Sequence, residues 1–176
     1  MGKRRFTPVV LKARLLKRSA LRTGVLTTFL MLLGAGTAFA QCAEDIASVR
    51  GPFGTAQFSV TVADDNAERA QGLMFVESMP RMSGMVFVFD SPRRVSFWMR
   101  NTLIPLDMIF IGADGVVRHI HADAQPLDET AIFGGDDIQY VLEINGGMAA
   151  RLGLGAGDEV RHPSFGGDAV WACNIN

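Results

Sequence analysis

Lysine is missing from most of this chain, and acidic residues are missing from its first part. No lysine follows Lys17, and no aspartate or glutamate precedes Glu44. Eight of the 17 Lys and Arg residues precede residue 41, so nine Arg face 18 acidic residues in the rest and the net charge of residues 41–176 is −9. A domain this acidic and free of lysine is a poor match for DNA or anionic lipid, although it can attract cations. We therefore expect no nucleic-acid partner.

The first 40 residues have the three parts of a secretory signal peptide. Basic residues lie between Lys3 and Arg22, an apolar stretch follows from 24 to 37, and Ala38-Phe39-Ala40 supplies small residues for a signal peptidase. The apolar stretch is shorter than the roughly 20 residues that a membrane-spanning helix needs. We expect cleavage after Ala40 and a periplasmic or secreted domain. The alternative is an uncleaved N-terminal anchor.

Cysteine is scarce, and both cysteines lie near the ends of the expected mature chain. They are Cys42 and Cys173. In an oxidising compartment an even pair predicts a disulfide, which would tie the two ends together. The alternative is two unpaired thiols in disordered tails.

The remaining 136 residues, 41–176, correspond to a single domain with a mostly β fold. Short alternating apolar segments predict about seven strands, and Asp114-Gly115 is a strong hairpin signal. Asp65 and Glu68 resemble a capping box for a short helix that ends at Gly72. These features predict a compact antiparallel jelly-roll-like sandwich or partly closed barrel with one or two short helices.

The segment 94–100 predicts an unusual strand face. Alternate residues of a strand point to opposite sides, so one side is apolar and belongs to the core. The other side carries Arg94, Ser96, Trp98 and Arg100. A large aromatic residue between arginines suits stacking and hydrogen bonding to a ligand better than it suits an ordinary solvated face.

These residues predict a small concave site. The ligand-binding candidates are Trp98, Arg100, Asn101, Asp107, Glu143 and Arg94. The alternative is internal packing, in which Arg100 pairs with Asp107 or Glu143 and Trp98 lies under a loop.

Six short segments follow one another in an order that is typical of one family. They are Gln71–Met74, Gly84–Phe89, Phe97–Thr102, Ile104–Asp107, Val141–Ile144 with Gly147, and Gly157-Asp158. Together they resemble the signature of the DUF192 family of uncharacterised prokaryotic proteins, over roughly residues 55–162. The resemblance implies a compact, mostly β, jelly-roll-like domain that is often exported and has no established activity.

The family motif positions fall on five of the candidates, none of which has an assigned role in the family. They are Trp98, Arg100, Asn101, Asp107 and Glu143. The chain departs from the family at Phe75, where a basic residue is often found. That departure weakens any scheme that needs a cation at this position.

Two other kinds of chemistry are open to the sequence. A carboxyl pair, Asp107 with Glu143, could perform acid–base hydrolysis if the pKa of one member were raised. His119 and His121 lie two apart on a predicted strand, on one face and roughly 7 Å apart at Cα. With a third ligand such as Asp123 they could hold a metal ion.

The sequence as a whole favours a non-catalytic binding module. We expect a monomer without a cofactor, whose Trp98/Arg100 face binds a polar ligand such as a glycan or peptide, either a small molecule or a component of the cell envelope. The alternatives are the hydrolase with Asp107 and Glu143, and a metal-handling protein with His119 and His121.

Overall fold

The computed structural model describes residues 42–173, which form one seven-stranded sheet and two short helices. The predicted signal peptide, residues 1–40, lies outside the described residues. In chain order the elements are β1 Ile46–Gly51, β2 Gly54–Ala63, α1 Asn66–Gln71, β3 Ser83–Phe97, β4 Leu106–Ile111, β5 Val117–Ala124, β6 Ile132–Asn145, α2 Met148–Leu152 and β7 Glu159–Arg161. None of the helices in this part of the chain has the length and hydropathy of a membrane crossing.

The sheet is curled into a half-barrel with the strand order β5-β4-β6-β3-β2-β1-β7. A bridge between Val116 and Glu159 brings the two outer strands together, and Val160 donates a backbone hydrogen bond to Gly115. Every ladder is antiparallel except the one between β2 and β3. That pair is parallel because the connection through α1 crosses back over the sheet. The prediction of a mostly β, partly closed barrel with short helices is confirmed.

Apolar residues cover both faces of the sheet. On β6, Tyr140, Leu142 and Ile144 belong to one core, whereas Val141 belongs to the other. All six residues of β4 are buried, as expected for a central strand with packing on both sides. Each buried apolar side chain of these strands therefore belongs to one of two cores, and the register decides which.

Local sequence sets the turns. The β4–β5 hairpin turns at Gly115, whose φ is 76°, and the Asp114 carboxyl accepts from the Val116 N–H at 3.0 Å. At α1 the Asp65 side chain accepts from the Glu68 N–H at 2.8 Å, and the Glu68 carboxyl accepts from the Asp64 N–H at 3.2 Å. These contacts form the predicted hairpin and a variant of the predicted capping box, in which the Glu68 carboxyl reaches the N–H of Asp64 and not that of the N-cap residue Asp65.

The C-terminal segment packs back against the start of the sheet. Phe165 stacks on Tyr140 with ring centroids 3.8 Å apart. Trp171 lies between two guanidinium groups, with Arg50 4.5 Å and Arg161 4.4 Å from the ring centroid. Beyond it, Cys173 is bonded to Cys42 with a Cα–Cα distance of 5.8 Å. The predicted disulfide is confirmed.

Replacing both Cys42 and Cys173 by Ser should lower the free energy of unfolding by about 3–5 kcal/mol, because the bond joins residues 131 apart in sequence. Urea unfolding of the oxidised protein and of the double variant measures the difference. Reduction of the wild-type protein should give the same loss. Equal midpoints for oxidised and reduced protein would contradict a stabilising role.

Candidate functional site

A cavity of about 530 Å³ opens between α1, the middle and the C-terminal end of β3, and the loop that follows β3. Four aromatic rings form much of its wall. They belong to Phe87, Phe89, Phe97 and Trp98. The other lining residues are Arg69–Met74, Ser96, Arg100, Thr102, Ala131 and Glu143. The cavity therefore gathers parts of four of the six family-like segments.

The irregular course of β3 brings the aromatic wall together. Its pairing with β6 loses regular register between Val88 and Ser96, a stretch that includes Pro92. A proline inside a strand is typical of such bulges, which bend the strand. Because the strand bends, two of its own residues meet. The rings of Phe87 and Phe97 pack edge to face with centroids 5.1 Å apart.

The opposite wall is the turn that ends α1. Gly72 has φ 49°, and a Cβ there would lie 3.2 Å from Phe87 Cζ, so glycine keeps this side of the cavity open. Arg69 fixes the helix to β3 by donating to the Val88 carbonyl at 2.7 Å. Its guanidinium also lies 5.3 Å from the centroid of Phe89.

Trp98 and Arg100 lie at the mouth of this cavity. Trp98 is 47% exposed, and the guanidinium carbon of Arg100, which is also exposed, lies 5.5 Å from the centroid of its ring. Arg100 forms no salt bridge with Asp107 or Glu143. The structure therefore shows the exposed arrangement of this pair and not the internal ion pair.

Two other candidates, Asn101 and Arg94, do not line the cavity. Asn101 has φ 55°, accepts from the Phe75 N–H at 2.8 Å through its carbonyl, and does not line the cavity. Arg94 is outside the cavity, where it lies 4.6 Å from the Phe133 centroid and 3.7 Å from the Asp136 carboxyl. Asn101 shapes the loop, and Arg94 belongs to a separate surface.

Asp107 is a structural residue on the other face of the sheet. It is fully buried, and its carboxyl accepts from the N–H groups of Asp123 at 2.8 Å, Gly147 at 2.9 Å and Ala149 at 2.7 Å. In the β4–β6 ladder Asp107 is opposite Ile144, whereas Glu143 is opposite Met108. Neighbouring residues of a strand point to opposite faces, so the two carboxyl groups are not brought together. Asp107 does not line the cavity, which removes the predicted acid–base pair.

Glu143 is the buried polar residue of the cavity. It is 4% exposed and lies in register between Met85 and Met108. None of the residues 42–173 forms a hydrogen bond or salt bridge with its side chain. Burial raises the pKa of this carboxyl to about 8, so the neutral acid predominates at pH 7.

The environment of Glu143 also explains a family-like glycine. A Cβ at Gly84 would collide with the carbonyl oxygen of Glu143, so glycine allows β3 to pair closely with β6 at this point. The close pairing fixes the backbone from which the Glu143 side chain reaches the cavity.

The two histidines lie on the same side of β5, opposite two core residues of β4. His119 stacks on Phe110 with centroids 5.9 Å apart, and His121 is opposite Met108. Within residues 42–173 no three His, Cys, Asp or Glu side chains are grouped so that they could hold a metal ion. The predicted third ligand, Asp123, does not complete such a group.

The sequence reasoning missed most of the aromatic wall. Strand alternation places Phe97 on the apolar side of the segment 94–100, and Phe87 lies in the family-like segment Gly84–Phe89, but neither pattern predicts that the two rings meet. Two signals point to the wall: the proline inside the long apolar strand, and the family-like run from Gln71 to Met74, whose glycine faces Phe87. Neither signal specifies a cavity without the tertiary contact.

Asp107→Asn should lower the free energy of unfolding by about 2–4 kcal/mol, because one of its two oxygens becomes an N–H₂ group that faces backbone donors. Denaturant unfolding measures the change. Ligand affinity at the cavity should stay the same in the variant. A loss of less than about 0.5 kcal/mol would contradict the anchoring role.

Glu143→Gln should become more stable relative to the wild type as the pH rises from 4.5 to 8. The folded pKa of about 8 lies above the ordinary value of 4.5. The folded wild type therefore binds more protons than the unfolded chain in this range and loses stability, by at most about 1.4 kcal/mol per pH unit. Unfolding curves at pH 5, 6, 7 and 8 measure the difference.

His162 is an internal control for that comparison. Its burial lowers its pKa, so it adds stability above about pH 6.5 that is lost on acidification. The same contribution is present in both proteins and cancels in the difference. A constant difference between variant and wild type across this pH range would contradict the raised pKa of Glu143.

Two solved structures are similar to this chain. A protein of unknown function from Novosphingobium aromaticivorans is 46% identical, with a TM-score of 0.64 over 65% of this chain and 82% of its own. A protein from Sinorhizobium meliloti, described as a candidate transcription regulator, is 40% identical, with a TM-score of 0.65 over 68% of this chain and 94% of its own. No curated protein matches the chain.

The DUF192 family profile, described as "Uncharacterized ACR", matches residues 49–162. This range contains every strand from β2 to β7 and the complete cavity lining. It also contains all six segments in which the resemblance was seen. The chain belongs to the DUF192 family.

Proposed function

We propose that this protein is a non-catalytic binding module whose ligand is a polar, chain-like molecule, a peptide or a glycan. The ligand lies across the Trp98/Arg100 mouth and inserts one group into the cavity. The observation that carries the proposal is an exposed aromatic–guanidinium pair at the opening of a cavity of about 530 Å³. Concave sites lined mainly by apolar and aromatic side chains with a few polar groups are typical of ligand pockets.

The loops near the mouth support a binding surface. Phe75 and Leu127 are 65% and 59% exposed, and their φ angles are 65° and 63°. Positive φ is unfavourable for such side chains, and strained backbone of this kind concentrates at functional sites. Backbone hydrogen bonds from Phe75 to Asn101 and from Leu127 to Thr102 join both residues to the loop that follows Trp98. Apolar side chains are therefore held in solvent beside the Trp98/Arg100 pair.

The composition of the cavity favours binding over hydrolysis. Glu143 is the one carboxyl group among the residues that line the cavity. Glycoside hydrolysis by two carboxyl groups needs a second one about 5–10 Å away, on either side of the scissile bond. Asp107, the partner expected from the sequence, is held by three backbone N–H groups on the other face.

The same proposal includes export to the periplasm or the cell surface. The disulfide between Cys42 and Cys173 suits an oxidising compartment. The net charge of −9 after residue 40 does not favour DNA, so the regulator description of the Sinorhizobium meliloti protein is not part of the proposal.

Trp98→Ala should weaken ligand binding by at least about tenfold, because a partly exposed indole at the centre of a site is a typical binding hot spot. The measurement is thermal stabilisation by a panel of peptides and cell-wall glycans, since a ligand that binds the folded state raises the melting temperature with its concentration.

Phe133→Ala is the matched control. Phe133 has the same 47% exposure as Trp98 and an arginine at 4.6 Å, but it is outside the cavity lining. Affinity should be unchanged in this variant. If no member of the panel stabilises the wild type, or if both variants lose affinity equally, the proposed binding function is wrong.

A further inference from the structure

We propose that the group that enters the cavity is an organic ammonium, as on a lysine side chain or a peptide N-terminus, and that it pairs with the carboxylate of Glu143. This inference rests on the proposed binding function and deepens it. It favours an amine-bearing peptide over a neutral glycan as the ligand.

Within the described part of the chain, the carboxyl group of Glu143 has no protein partner in the cavity. Buried polar groups in proteins almost always have hydrogen-bond partners, and a buried carboxyl without one costs folding free energy. Glu143 is 4% exposed, lines the cavity and has no partner among the described residues, yet its oxygens are not among the fully enclosed unpaired atoms of residues 42–173. The carboxyl group can therefore be reached from the cavity. A bound cation would supply the missing partner at the floor of the cavity.

The aromatic wall of the cavity suits a cation. Cations are attracted to the faces of aromatic rings, and pockets built from several rings are used to recognise ammonium groups. The cavity combines Trp98, the best of these rings for a cation, with three phenylalanines of β3. The methylene chain of an amine-bearing side chain would contact the same rings, as well as Leu73 and Met74.

The charges around Glu143 are compatible with a cationic ligand. Arg69 is engaged by the carbonyls of Asp64 and Val88 and by the side chain of Asn66. Arg100 is exposed at the mouth, where solvent screens its charge. Arg93 lies on the outer side of the aromatic wall, 5.7 Å from the Phe89 centroid. His119 and His121 of β5 also lie on this face, and His121 is separated from Glu143 by Met108 of β4. The net charge of −9 favours the approach of cations from solution.

Binding of an ammonium group should change the protonation state of Glu143, and this change can be measured. In the empty cavity the Glu143 carboxyl is neutral at pH 7, because burial raises its pKa to about 8. An ammonium beside it favours the ionised form, so binding should release a proton from Glu143. A ligand that only accepts a hydrogen bond from the neutral acid would release none.

The test uses titration calorimetry of the oxidised protein at pH 7 in two buffers with different ionisation enthalpies. The probe is Nα-acetyl-lysine methylamide, and its matched neutral control is the same compound acetylated at Nε. We expect the amine to bind with release of up to about one proton and the acetylated compound to bind at least about tenfold more weakly.

Glu143→Gln is the decisive variant, because the neutral isostere keeps the shape of the floor and is expected to be at least as stable at pH 7. It should bind the amine at least about tenfold more weakly and without proton release. Equal binding of both probes, no binding of the amine, or unchanged affinity in Glu143→Gln would overturn the ammonium inference. Any of these results leaves the binding function standing if the peptide and glycan panel still detects a ligand that depends on Trp98, so the two proposals fail separately.

Discussion

The pairing between β3 and β6 governs both the stability of the domain and the shape of its site. It is regular from Gly84 to Val88, where it holds the centre of the sheet, and irregular from there to Ser96. The regular part places Glu143 beside the core, and the irregular part bends β3 so that Phe97 returns to Phe87. A straight strand of the same length would separate these two rings by roughly 33 Å, at about 3.3 Å per residue. The cavity exists because the ladder is interrupted.

Two buried carboxyl groups of the sheet, those of Asp107 and Glu143, have opposite roles. Asp107 accepts three backbone N–H bonds and so joins β4 to the end of β5 and to the start of α2. Glu143, on the other face, has no partner within the described chain. The first group stabilises the fold, whereas burial disfavours the ionised form of the second and raises its pKa. Proteins retain such unfavourable groups mainly where function requires them.

Much of the fold could be predicted from the sequence, because its determinants are local. Asp114-Gly115 specifies a hairpin by backbone geometry, and Asp65 with Glu68 specifies a helix start by hydrogen bonding. The sequence contains two cysteines, so Cys42 and Cys173 can form an intramolecular disulfide only with each other. The exposure of Trp98 and Arg100 followed from strand alternation, which continues for a short distance beyond the end of β3.

The rest of the site depends on register between strands that are distant in sequence. Whether Asp107 and Glu143 face each other depends on the register of the β4–β6 ladder. A shift of one residue would move each side chain of the shifted strand to the opposite face of the sheet. The contact of Phe87 with Phe97 depends on where the β3–β6 ladder is interrupted. Neither quantity has a local signal, so the sequence suggested a carboxyl pair that the fold separates and did not specify the contact between Phe87 and Phe97 that forms the aromatic wall.

The bond between Cys42 and Cys173 has a topological consequence. With its ends joined, the backbone of residues 42–173 forms a closed ring. A protease that cuts one exposed loop, for example near Gly155 in the connection before β7, would open this ring without releasing a fragment. The two segments would stay joined by the disulfide, and each strand would remain paired with its native neighbours. In an environment rich in proteases, this architecture tolerates a first cleavage event and is dismantled only by a second one or by reductants.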